Sequence, residues 1–173
     1  MAERANAVTM KGKPLTLVGN EVRVGDKAPG FVLLDNGLAP VGLSAYEGRV
    51  VVIVSVPSLD TPVCDLETRR FNREAAGLSE RVAVLAVSMD LPFAQKRWCG
   101  AAGVSNLTTL SDHREASFGL GYGLLVKELR LLARAVIVVD RGGTIRYLEL
   151  VKEIGEEPDY EAALQAVRQY LDA

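Results

Sequence analysis

The sequence predicts a mixed α/β fold, in which strands alternate with helices before a hairpin and a closing helix. Three observations carry this. First, V-V-V-I-V-S-V (50–56), V-A-V-L-A-V-S (82–88) and A-V-I-V-V (135–139) are short, β-branched and apolar on both faces. Such runs suit the middle of a sheet covered by helices on both sides. Second, stretches of helical character separate them. Third, I-R-Y-L-E-L-V (145–151) alternates apolar and polar after the turn D-R-G-G, so it should pair antiparallel with 135–139.

The other elements follow in order. V-T-M-K-G-K-P-L-T-L-V-G (8–19) reads as a small N-terminal hairpin turning at Lys11-Gly12, and residues 24–35 are held extended by their prolines and glycines. From Pro62, residues Val63, Leu66, Phe71, Ala75 and Leu78 form a partial helical stripe, with Gly77 near its end. Asp90 is a candidate cap for a helix through P-F-A-Q-K-R-W-C-G-A-A that stops near Gly103. Within it, Trp98 and Phe93 read as core residues sooner than as the lining of a groove. G-L-G-Y-G-L-L-V (119–126) reads as a mobile loop with apolar tips, and its glycines lack the phosphate-binding spacing. Tyr160, Ala163, Leu164, Val167 and Leu171 give the last helix the cleanest stripe. With no repeat, low-complexity tract or linker, residues 1–173 are expected to form one domain.

Composition excludes several functions. A net charge of −2 argues against a nucleic-acid surface, and the pairs Arg69-Arg70 and Lys96-Arg97 read as solvated helix faces. No apolar run approaches the roughly 20 residues of a membrane span, and M-A-E-R-A-N lacks the apolar core of a secretory signal. The expected setting is the cytoplasm, where structural disulfides are rare. Two separated cysteines and one histidine, His113 in a polar loop, lack the paired spacing of a zinc site, so no metal is expected.

Cys64 closes the segment P-S-L-D-T-P-V-C, between a buried strand and the start of a helix. Ligands bind beyond the carboxyl ends of strands in open α/β sheets, and free N–H groups at a helix start stabilise an anion. Only the thiolate is a nucleophile. Position alone leaves Cys64 balanced between small filler and reactive group. Asp65 and Glu67 add negative charge nearby, so a fixed cation is needed, and Arg69, Arg70 and Arg134 are the candidates. Arg134 lies at the edge of a buried strand, where an unpaired guanidinium is costly; its partner is a structural carboxylate or a catalytic anion. Cys99 taken alone reads as a packing residue.

P-S-L-D-T-P-V-C resembles the Pro-x-x-x-Thr-x-x-Cys signature of peroxiredoxins, and its longer form Ser-x-Asp-Thr-x-Val-Cys is similar to their thiol peroxidase subfamily. D-L-P-F-A-Q-K-R-W-C-G (90–100) and L-L-A-R-A-V (131–136) continue the similarity. The resemblance implies a thioredoxin-like fold and a thiol-dependent peroxidase in antioxidant defence. It implies that Cys64 attacks the peroxide O–O bond and that Thr61 hydrogen-bonds the sulfur and the peroxide. It makes Pro57 a shield, Arg134 the cation that holds the sulfur, and Cys99 the thiol that resolves the sulfenic acid within the same chain. It also implies hydrogen peroxide and alkyl hydroperoxides as substrates, thioredoxin as reductant and a homodimer, with the 119–126 segment bordering site and interface.

The residue chemistry agrees. Displacement at an O–O bond needs an anionic nucleophile and donors aimed at the oxygens, which a helix start, a threonine and an arginine fork supply with no metal or organic cofactor. A second thiol protects the sulfenic acid from further oxidation. Because a disulfide needs Cα atoms within about 7 Å, both helix segments are expected to unfold locally before it forms. A peroxide sensor or relay would use the same Cys64 chemistry. A silent binding module has no need of Pro57, Thr61, Cys64 and Arg134 together, and a dithiol oxidoreductase is disfavoured because C-x-x-C is absent.

Overall fold

A computed structural model describes residues 1–172. The chain runs β1 (Glu3–Met10), β2 (Lys13–Val18), β3 (Val32–Leu34), β4 (Pro40–Gly42), a 3₁₀ turn (Leu43–Tyr46), β5 (Val50–Ser55), α1 (Pro62–Ala76), β6 (Val82–Ser88), α2 (Pro92–Ala102) and β7 (Thr108–Ser111). It continues through α3 (Ser117–Gly121), β8 (Leu125–Val126), β9 (Leu131–Leu132), β10 (Ala135–Val139), β11 (Ile145–Leu150) and α4 (Tyr160–Leu171).

The expected α/β architecture is present as a seven-stranded mixed sheet of order β11-β10-β5-β6-β7-β3-β4. The apolar runs β5 and β6 pair in parallel at its centre, and every residue of both is buried. β10 pairs antiparallel with β5 on one side and with β11 on the other. The alternation of the strands divides the core in two. Val51, Ile53, Leu85 and Ile137 face Phe118, Tyr122 and the inner residues of the N-terminal hairpin. Val52, Val54, Val84 and Val136 face Phe71 of α1, Trp98 of α2 and Tyr160 and Val167 of α4.

The N-terminal hairpin starts earlier than its apolar pattern suggests, at Glu3, and turns at Lys11 (φ 50°) and Gly12 (φ 77°). Those left-handed residues match the right-handed twist of the flanking strands. It joins β8 and β9 in a four-stranded sheet.

Four expectations need correction. Segment 119–126 is no mobile exposed loop: Tyr122, Leu124, Leu125 and Val126 are buried, and β8 pairs with β2 and β9. A Cβ at Gly123 (φ 66°) would meet Asn20 O at 2.7 Å, so its glycine permits close packing instead of mobility. Phe93 is no core residue; it is 65% exposed at the first turn of α2, whereas Trp98 is buried as expected. The inner face of α1 is Cys64, Glu67, Thr68 and Phe71, with Leu66 half exposed.

Asp90, finally, does not cap α2, whose N-cap is Leu91 with no side-chain hydrogen bond. Its Oδ1 accepts from Ser58 Oγ at 2.7 Å, and its Oδ2 from Leu59 N at 2.8 Å and Ser88 Oγ at 2.7 Å. It ties the loop after β5 to the end of β6. The far end of α2 follows expectation, with Gly103 in the left-handed conformation (φ 66°).

Candidate active site

Strand β5 delivers the chain to Val56 and the buried Pro57, and the turn 58–61 leads into α1. Thr61 is the N-cap residue, in extended conformation, and Pro62 takes the first helical position, where its missing N–H costs nothing. Cys64 therefore stands in the first turn, where backbone N–H groups lack helical partners. Its side chain is fully buried and its sulfur is a free thiol.

Arg134 comes from the opposite direction. Ala135 pairs with Ser55, so the residue just before β10 falls beside the carboxyl end of β5. There Nη2 of Arg134 lies 3.2 Å from Cys64 Sγ, Nε donates to Ile154 O at 2.9 Å, and Nη1 donates to the Glu67 carboxylate. The guanidinium is 2% exposed and all three nitrogens are engaged. Both partners weighed from the sequence are real at once: a carboxylate and the cysteine sulfur. Burial works against the Arg134 charge, but Glu67 and Cys64 outweigh it and hold the guanidinium protonated. Arg69 pairs instead with Asp65, and Arg70 with Glu74 and Glu161.

Glu67 is the residue that sequence reasoning missed as a site member. It is fully buried one turn after Cys64, and Oε1 has no hydrogen-bond partner among the described residues. Burial pushes its carboxyl up to about 7 against the pull of Arg134. The signal for it was the spacing Cys64, Glu67, Thr68, Phe71, a helical face that reads as apolar only if a paired acid is admitted to it.

Thr61 donates its hydroxyl to Ser58 O at 2.9 Å. A depression of about 290 Å³ lies over the first turn, lined by Leu59, Asp60, Thr61, Pro62, Asp65 and Trp98. Cys99 is not part of this cluster. It is half buried on α2, with Sγ 3.3 Å from Thr109 Oγ1 of β7, beside a second cavity of about 300 Å³ that Asn36 and Thr109 also line. Thr109 gives its hydroxyl proton to Asn36 Oδ1 at 2.9 Å.

A mixed sheet with a buried cysteine sulfur just beyond the carboxyl end of an inner strand, gripped by a buried arginine, is the arrangement of a thioredoxin-fold thiol protein. The comparisons carry this to a family. The Redoxin family model matches residues 23–164. The chain is 55% identical over 165 residues to a thiol peroxidase of Halalkalibacterium halodurans, covering 95% of this chain and 99% of that protein. A thiol peroxidase of Bacillus subtilis is 52% identical over 161 residues, covering 93% of this chain and 96% of that one. A solved peroxiredoxin-like protein from Aquifex aeolicus superimposes with a TM-score of 0.90 at 44% identity, over 96% of this chain and 98% of that one. The chain belongs to the Redoxin family, in the thiol peroxidase subfamily of the peroxiredoxins, and is a peroxiredoxin-type peroxidase.

Proposed function

We propose that Cys64 is the peroxidatic residue of a hydroperoxide reductase and Cys99 its resolving partner. The observation that carries this is the 3.2 Å contact between Arg134 Nη2 and the buried Cys64 sulfur in the first turn of α1. A cation and unpaired N–H groups stand beside the sulfur, where they can act on the charge that moves from the attacking atom to the leaving oxygen. The sulfur attacks one peroxide oxygen, the O–O bond breaks, and the other oxygen leaves with a proton as water or an alcohol. Cys64 is left as a sulfenic acid. Pro57 shields it, and the Thr61 hydroxyl and the Arg134 fork act on the developing charge.

Cys99 then attacks the sulfenic sulfur. The S–S bond forms as the S–O bond breaks, and water departs. A dithiol protein of the thioredoxin type reduces the disulfide by exchange and becomes oxidised itself. Hydrogen peroxide and alkyl hydroperoxides are the proposed substrates. The proposed working form is a cytoplasmic homodimer. No helix among the described residues is long and apolar enough to cross a membrane.

The test is NADPH oxidation coupled through thioredoxin reductase and thioredoxin. Cys64→Ser is expected to be inactive. Cys99→Ser should consume about one peroxide per chain and then stall, because its sulfenic acid has no partner. Sustained turnover by Cys64→Ser would overturn the assignment. A protein that forms its disulfide yet turns over with no thioredoxin-type reductant would be a relay instead.

A further inference from the structure

Asp65 directly follows Cys64, Trp98 directly precedes Cys99, and these two neighbours are bonded to each other. Trp98 Nε1 donates to Asp65 Oδ1 at 2.8 Å. Arg69 closes the cluster: Nε donates to both Asp65 oxygens at 3.0 Å, and its guanidinium carbon lies 5.8 Å from the Trp98 ring centre. Its Nη1 also reaches Ala102 O, at the last residue of α2, at 3.4 Å. Among the described residues, these are the side-chain hydrogen bonds that join α1 to α2.

The sulfurs themselves are held apart. Cys64 is seated against Arg134 beside β10 and Cys99 against Thr109 of β7. Strand order places β10 and β7 three spacings apart, about 14 Å between strand axes. A disulfide requires Cα atoms within about 7 Å. To bond, the two sulfurs must give up these separate contacts and approach each other, and the side chains beside them resist that movement.

We infer that Asp65, Trp98 and Arg69 form a clamp whose release limits the resolving step, so that these three positioning residues divide oxidised Cys64 between two fates. The inference rests on Cys99 being the resolving thiol. With the clamp open, the Cys99 thiol displaces water from the sulfenic acid and the disulfide forms. With it closed, a second hydroperoxide transfers one oxygen to the sulfenic sulfur, giving a sulfinic acid and releasing water or alcohol. Asp65 and Trp98 also line the depression over the first turn of α1, so the first oxidation and the resolving step are timed separately.

Reduced wild type, Trp98→Phe, Asp65→Asn and Arg97→Ala are each mixed with increasing hydrogen peroxide, quenched at short times and resolved by intact mass. Trp98→Phe keeps a ring in the core but loses the N–H donor. It should form the disulfide about tenfold faster, and the peroxide concentration that gives half sulfinic acid should rise by about the same factor, in keeping with the loss of one charge-assisted hydrogen bond. Disulfide formation is timed from the appearance of the sulfenic acid, so a change in the first oxidation step does not enter the comparison. Asp65→Asn keeps a carbonyl acceptor and loses the charge, so it should fall between the two and serves if Trp98→Phe does not fold.

Arg97→Ala removes the ion pair from α2 to Asp60 and leaves the clamp intact; it should behave as wild type. Equal or slower disulfide formation in Trp98→Phe, or the same acceleration in Arg97→Ala, overturns the clamp. A wild type that forms no intrachain disulfide at all overturns the role of Cys99, and the clamp with it.

Discussion

Arg134 and Cys64 meet across 70 positions of sequence, with Nη2 3.2 Å from the sulfur, in a pocket from which both side chains are almost wholly excluded from water. The contact depends on a planar fork, since the same guanidinium also serves Glu67 and Ile154 O. Arg134→Lys keeps the charge and loses two of the three bonds. We expect the second-order rate of Cys64 oxidation to fall about a hundredfold in Arg134→Ala, the range for removing one donor from a developing charge, and nearly as far in Arg134→Lys. Stopped-flow competition with a heme peroxidase measures it, and a lysine variant as fast as wild type would refute the role of the fork.

Glu67 gives the fold a pH dependence of definite sign. Its carboxyl rises from an ordinary 4.5 to about 7 in the folded chain because burial disfavours the anion, with Glu149 and Glu157 adding to the effect and Arg134 opposing it. Between about pH 4.5 and about pH 7 the unfolded chain has lost this proton while the folded chain keeps it. The group's contribution to stability therefore falls as pH rises through that window and levels off above it. Denaturant titrations from about pH 5 to about pH 8 should show a decline that is absent in Glu67→Gln, on the order of 2 kcal/mol. Parallel curves for the two proteins would contradict this.

Thr61 offers a donor that is already in use. Its hydroxyl gives its proton to Ser58 O, so it must rotate to reach a sulfur or a peroxide oxygen. Thr61→Ser should retain most of the oxidation rate, and Thr61→Val should lose about a hundredfold, the lower end for a positioned side chain of this kind. A valine variant with the wild-type rate would remove Thr61 from the machinery.

Asp90 moors the loop ahead of Cys64 through three accepted hydrogen bonds. Asp90→Ala leaves the Leu59 N–H without its acceptor and should lower stability by about 2–3 kcal/mol, more than Ser58→Ala. A double-mutant cycle between the two positions should show coupling, because the serine hydroxyl is bonded to that carboxylate. Additive losses would mean that the network does not act as a unit.

How much of this was legible in the sequence follows from how local each feature is. The strands β5, β6 and β10 were readable because doubly buried strands carry an unbroken apolar signal. The hairpin β10–β11 was readable from Asp140-Arg141-Gly142-Gly143, where Asp140 Oδ1 accepts from Gly142 N and Thr144 N. The segment around Tyr122 was not, since three closely spaced glycines look mobile until Leu132, Pro29 and Asn20 are known to pack on them. Phe93 was misplaced because apolarity on a helix does not say which side the sheet lies on. At the site, the signature pointed to Pro57, Thr61 and Cys64, and L-L-A-R-A-V to Arg134, but the placing of Glu67 inside depends on a cation 67 residues later in the chain. Asp90 was misread because a carboxylate before a helix is a common cap, and only the fold reveals three other donors closer to it.

The single tryptophan of this chain sits where α1 meets α2, with its indole N–H on a carboxylate and an arginine over its ring. Its emission therefore originates at one place, one residue from Cys99. In the proposed clamp, opening that place moves the indole from a buried, charge-flanked setting into water. On the proposed cycle, the protein carries an intrinsic optical reporter of clamp opening, readable in real time without a label.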